Sequence, residues 1–149
     1  MQYLLHDGQK EFVTLGEDIE HLKNYIGLQE ERLSNKIKVN YKEEVDNYDQ
    51  PVTPLLLIAF VENAFKYTGL LKGGLHEITI EVRMLEGKLH FFCQNPFDVK
   101  LNGQMESEWK ESGIGISNTV KRLDMLFRDN YTLEISREEV FQVKLNIDL

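Results

Sequence analysis

Glu62, Asn63 and Lys66 interrupt an otherwise apolar run, Leu55-Leu56-Leu57-Ile58-Ala59-Phe60-Val61-Glu62-Asn63-Ala64-Phe65-Lys66-Tyr67. Polar side chains set into such a run need partners, because burying an unpaired polar group costs free energy. A metal carried in on a nucleotide is one such partner. Further along, Ser112-Gly113-Ile114-Gly115-Ile116-Ser117-Asn118 opens a second amphipathic helix with two glycines. Without Cβ atoms the backbone N–H groups approach phosphate oxygens closely, and the helix dipole adds a few tenths to about 1 kcal/mol when exposed. The two segments together point to a nucleotide pocket between two helices.

Each of these residues also has a plainer reading. Asn63 as a buried amide bonded to neighbouring backbone is as good a reading of the residues alone as Asn63 on a metal. Glu62 fits a surface ion pair, and Lys66 stands at the i,i+4 spacing that pairs it with Glu62 as readily as with a phosphate. Tyr67 suits a packing aromatic as well as a nucleotide contact. A lone Gly-x-Gly often marks an ordinary helix start.

The elements that must position these residues are legible from periodicity. Thr14-Leu15-Gly16-Glu17 has capping-box spacing and starts a helix from about Leu15 to Leu33. Its apolar positions are Leu15, Ile19, Leu22 and Ile26, with Glu17, Asp18, Glu20, Lys23, Glu30 and Glu31 expected to face water. Ile37, Val39 and Tyr41 alternate with Lys36, Lys38, Asn40 and Lys42 as a strand with one buried face, ending in acidic loop residues. Thr53-Pro54 then reads as the start of the Leu55–Tyr67 helix, Thr capping and Pro at the first helical position. Ile78, Ile80, Val82 and Met84 form one face of a strand that turns at Glu86-Gly87 into Leu89–Asn95. Residues 96–112 lack periodicity and read as a mobile lid. Ile116, Val120, Leu123 and Phe127 space a third helix, and Tyr131–Ser136 with Val140–Leu149 form a closing hairpin. Residues 1–13 read as the tail of a preceding element or linker and residues 14–149 as one domain. The order predicts an α+β protein, a two-layer α/β sandwich with a mixed sheet, about three helices on one face and the lid.

Composition narrows the function class. The chain has 149 residues, 42% hydrophobic and 28% charged, enough for one soluble domain with a proper core. A formal charge of −8 disfavours a nucleic-acid partner, since binding to phosphate backbones is driven by Lys and Arg. No run approaches the ~18 apolar residues that span a bilayer, so no membrane segment is expected in this chain. The lone Cys93 excludes an intrachain disulfide, and no basic stretch followed by an apolar one opens the sequence; a cytoplasmic setting fits best.

Thr53-Pro54-Leu55-Leu56-Leu57 leading into Val61-Glu62-Asn63-Ala64, then a hairpin, a variable lid, Gly113-Ile114-Gly115-Ile116-Ser117-Asn118 and Arg122-Leu123, resembles the ATP-binding domain of the GHKL superfamily (HATPase), and more narrowly that of LytS-like sensor histidine kinases. The upstream Leu15, Glu17, Tyr25 and Gln29-Glu30-Glu31-Arg32 are similar to the helix leading into that domain. The resemblance implies a two-component protein-histidine kinase domain that binds ATP and Mg²⁺ and passes the γ-phosphoryl group to a histidine outside this chain. Asn63 would then be the metal ligand, Glu62 the base for the attacking histidine, and Lys66 a phosphate contact. Tyr67, Asn95, Gly113, Ile114 and Gly115 would bind the nucleotide. It further implies an upstream phosphoacceptor histidine domain, a response regulator, and a parent protein anchored in the cytoplasmic membrane.

The chain departs from the superfamily at the adenine box, where Asp-x-Gly-x-Gly is expected. The strand instead ends Cys93-Gln94-Asn95-Pro96-Phe97. Leu89, Phe91 and Cys93 set a phase that aligns Asn95 with the missing Asp, with Gln94 as the other choice. An amide donates as well as accepts, so relaxed selection between adenine and guanine is expected, through a bond of ~0.5–1.5 rather than ~1.5–3 kcal/mol. None of His6, His21, His76 and His90 has a phosphoacceptor context; all four read as surface or edge histidines. The eroded box also supports a different class of protein, a degenerate GHKL module with weak or no nucleotide binding that serves as an interaction domain.

Overall fold

The computed structural model describes residues 12–98 and 116–149. Strand β1 (Val13–Thr14) runs directly into helix α1 (Leu15–Arg32), followed by β2 (Ile37–Val45) and β3 (Pro51–Val52). Helix α2 (Leu56–Gly69), the hairpin β4 (His76–Leu85) and β5 (Lys88–Pro96), helix α3 (Ile116–Phe127) and the hairpin β6 (Tyr131–Arg137) and β7 (Val140–Asp148) complete the described chain. The five long strands form one mixed sheet in the order β2-β4-β5-β7-β6, parallel only between β2 and β4. The α+β sandwich expected from the sequence is the fold observed.

Period-two patterning sets the register. Val39, Ile80, Cys93 and Val143 lie on the same face as Ile78, Val82, Phe91 and Leu145, and Ile80 pairs with Cys93, which pairs with Val143. A one-residue slip would turn this whole row to solvent, so burial of one face fixes the pairing. The helices supply the other half of the core through Leu15, Ile19, Leu22 and Ile26 of α1, Phe60, Val61 and Ala64 of α2 and Leu123 of α3. The β4–β5 turn has positive φ at both central residues, Glu86 (52°) and Gly87 (77°), the geometry that suits the right-handed twist of paired strands.

The capping box at α1 is present in full. The Thr14 side chain accepts from the Glu17 N–H at 3.1 Å, and Glu17 accepts in return from the Thr14 N–H at 3.2 Å. Three expectations are corrected. α2 begins at Leu56, not Leu55; Leu55 is its cap residue in the left-handed region (φ 65°), with no side-chain cap from Thr53. Asp18 does not face water but lies 9% exposed beside α2. β2 does not dissolve into an acidic loop: Glu43, Glu44 and Val45 continue the parallel ladder opposite Val82, Arg83 and Met84. Glu43 remains in the strand because it accepts hydrogen bonds from Tyr41 and Tyr48 and pairs with Lys23 at 3.7 Å, which together hold its carboxyl below the usual range against the opposing effect of burial. The lid expected over residues 96–112 falls, beyond Asp98, outside the described residues.

Candidate nucleotide site

The sequence predicts one polar stripe on α2, and the helix splits it by depth. Glu62 and Lys66 are exposed one turn apart, while Asn63 and Tyr67 turn inward on the next stripe, each about 1% exposed. Asn63 is the unusual residue. Both its Oδ1 and its Nδ2 are buried without a hydrogen-bond partner among the described residues. Buried polar atoms are almost always paired, so an amide with neither end satisfied, in a helix otherwise packed by Phe60, Ala64 and Phe65, is the candidate binding group of this helix. The plainer reading of Asn63, bonded to neighbouring backbone, is not what this geometry shows.

Tyr67 carries the stripe to the end of β5. Its ring stands edge-on to Phe141 at 4.8 Å and to Phe97 at 5.7 Å. Phe141 is the cross-strand partner of Asn95. The helix stripe Asn63–Tyr67 therefore meets the sheet where Asn95 emerges. Asn95 is also about 1% exposed; its Nδ2 donates to the Pro96 carbonyl at 2.7 Å, and its Oδ1 is buried without a partner among the described residues. Strand alternation separates the two residues that the sequence leaves open. Asn95 shares the helix-covered face with Phe91 and Cys93, whereas Gln94 lies on the opposite face and accepts from Gln142 Nε2 at 2.8 Å. Gly113, Ile114 and Gly115 lie outside the described residues.

Glu62 has a neighbour on α1. Tyr25 packs edge-on to Phe65 at 5.8 Å; burial first and the Glu62 carboxylate second push its hydroxyl pKa up, while Arg32 pulls it down. His76 is not a plain surface histidine: its Nε2 is buried at the start of β4 without a partner among the described residues. Thr68, fully buried with its Oγ1 unpaired among the described residues, is a polar feature that the sequence reading passed over, and the burial of Asp18 is another. Asp18 was detectable, because it occupies the i,i+3,i+4 stripe of Leu15, Leu22 and Ile26. Among the described residues no cluster of three or more His, Cys, Asp or Glu stands ready to hold a metal. A cation here would need oxygen from an amide and from its own phosphates, a donor set that suits Mg²⁺. The unpaired Oδ1 of Asn63 fits that requirement.

No family model matches the chain. The sensor protein LytS of Bacillus cereus is 27% identical over 147 residues, covering 90% of this chain and 24% of LytS. The sensor histidine kinase BtsS of Escherichia coli K12 is 28% identical over 141 residues, covering 93% of this chain and 24% of BtsS. The nucleotide-free catalytic domain of the histidine kinase ThkA superposes with a TM-score of 0.55 at 20% identity, over 93% of this chain and 96% of that one. The chain is similar over nine-tenths of its length to the LytS- and BtsS-type sensor kinases, and its fold is that of a histidine-kinase catalytic domain. The chain spans about a quarter of the length of the curated relatives it matches. Among its described residues no helix is long and apolar enough to cross a membrane.

Proposed function

We propose that this domain binds Mg²⁺-ATP between α2, the end of β5 and the Gly113-Ile114-Gly115 segment, and delivers the γ-phosphoryl group to a histidine outside the chain. The observation that carries the reading is the buried, unpaired amide of Asn63, on the helix that brings Tyr67 against the partner strand of Asn95. Asn63 Oδ1 would hold the metal, which when bound neutralises charge on the phosphates. Lys66, exposed one turn beyond Glu62, would reach a phosphate oxygen. Glu62, also exposed, would accept the N–H proton of the attacking imidazole as a P–N bond forms and ADP leaves with the pair from the broken P–O bond. Positioning and charge neutralisation supply most of such a reaction.

At the base, the bond from Asn95 Nδ2 to Pro96 fixes the amide's orientation and leaves Oδ1 as the acceptor. A bare amide suggests relaxed selection; an amide oriented in this way supports preference for a base with an amino donor at position 6, adenine, over one with a carbonyl there, guanine. The share of the relatives covered supports an upstream element, joined near Thr14, that carries the phosphoacceptor histidine and anchors the parent in the cytoplasmic membrane. ThkA has been solved in complex with the response regulator TrrA, and a cognate regulator is proposed here by analogy.

The alternative, an interaction module without nucleotide, draws support from the aromatic trio Tyr67, Phe97 and Phe141 that fills the end of β5. Calorimetric titration of ATP and GTP, with and without Mg²⁺, separates the two. Mg²⁺-dependent ATP binding lost in Asn63→Ala is the expected result; no binding of either nucleotide at millimolar concentration selects the interaction module.

A further inference from the structure

Asp18, Leu55 and Arg122 meet where three helices converge, outside the proposed nucleotide site. The Asp18 carboxylate, on the buried stripe of α1, accepts the Leu55 N–H at 3.0 Å. Leu55 sits at φ 65°, a left-handed conformation that Cβ–carbonyl contact makes unfavourable for leucine, with its side chain exposed. The preceding carbonyl, of Pro54, accepts from Arg122 Nη2 of α3 at 3.0 Å. His21 and Arg122 are the charged groups near Asp18; both favour its ionised form, against the larger effect of burial. A strained residue persists only where its surroundings hold it, and here two side chains from two other helices grip the two ends of one peptide unit, the C=O and N–H between Pro54 and Leu55.

We propose that Asp18 is a positioning residue: by holding Leu55 left-handed, with Arg122 on Pro54, it keys the direction in which α2 leaves this corner to the placement of α1 and α3. Asn63 lies two turns into that helix, so a shift of α1 is felt at the amide. The lock itself stands on geometry alone, whereas its effect on ligand binding rests on the Mg²⁺-ATP reading.

The test uses the whole 149-residue chain. Amide hydrogen exchange at Leu55 and calorimetric Mg²⁺-ATP affinity are measured for the native chain, Asp18→Ala, Asp18→Asn and Arg122→Ala. Loss of a buried acceptor is expected to speed Leu55 exchange about tenfold and weaken Mg²⁺-ATP about tenfold in Asp18→Ala. Asp18→Asn keeps an oxygen for Leu55 and is expected to stay within about threefold of native on both readouts. Unchanged exchange and affinity in Asp18→Ala, or an Asn variant as impaired as the Ala variant, overturns the proposal. Should Asp18→Ala not fold, Arg122→Ala decides: its side chain is exposed, and faster Leu55 exchange supports the lock while native exchange overturns it. If the native chain binds no nucleotide, the nucleotide reading fails and the exchange data still judge the lock.

Discussion

Replacing Asn63 by leucine separates a binding amide from a structural one. Leucine keeps the branching at Cγ but sets methyl groups where Oδ1 and Nδ2 now lie buried and unpaired. A buried polar group without a partner costs about 1–3 kcal/mol, and relieving it is opposed by about 1 kcal/mol of repacking around the larger methyls. The net expectation is a ligand-free domain stabilised by about 1 kcal/mol, a rise in Tm of roughly 2–4 °C for a domain of this size. Binding to the native state adds stability as RT ln(1 + [L]/Kd), so saturating Mg²⁺-ATP should raise the Tm of the native chain and leave that of Asn63→Leu where it was. Thermal unfolding followed by circular dichroism, with and without Mg²⁺-ATP, reads both effects. A variant that melts several degrees below native without ligand, or that keeps the ligand shift, refutes the reasoning, because Asn63 would then be a satisfied structural amide.

Other consequences are open to measurement. Thr14→Ala removes one half of the α1 capping box and should cost about 1 kcal/mol, read as a lower urea midpoint with unchanged slope. Burial pushes the Cys93 thiol up to about 12, so at pH 8 only about one part in ten thousand is thiolate; disulfide reagents should react with it only at the rate of unfolding, and fast labelling of the native chain would contradict its placement. Asp18 has its pKa raised in the folded state, chiefly by burial, so the native chain holds that proton to higher pH than the unfolded chain does. Its contribution therefore favours folding at low pH and is lost as pH rises through the folded pKa. Asp18→Asn should flatten that part of the Tm profile above pH 3.8, and a parallel profile in the variant would exclude Asp18 as the titrating group.

The strands were legible because alternation records burial directly: Ile78, Ile80, Val82 and Met84 are all buried, and Leu89, Phe91 and Cys93 face the same way. The α1 start was legible because the capping box is local chemistry. The α2 start was not, since its cap residue Leu55 is held left-handed by a bond to Asp18 of another helix, and Thr53-Pro54 carried the local signal of a start one residue early. Tertiary pairing also kept Glu43 and Glu44 in β2, where local composition suggested a loop. At the site, residue types flagged Asn63 and Asn95, but only the fold reveals that both hold unpaired oxygens and that Gln94 turns away. The β1–β3 ladder, Val13 opposite Val52, is two residues long and too short for any periodicity to register.

Placement of the metal-nucleotide at Asn63 is tested most directly by nuclear magnetic resonance with Mn²⁺-ATP, since Mn²⁺ takes the same oxygen ligands as Mg²⁺ and broadens signals near it. With ATP present, the side-chain amide of Asn63 is expected to broaden first and that of Gln94, on the far face of the sheet, to stay sharp. Broadening that ignores Asn63, or none at millimolar Mn²⁺-ATP, would contradict the account.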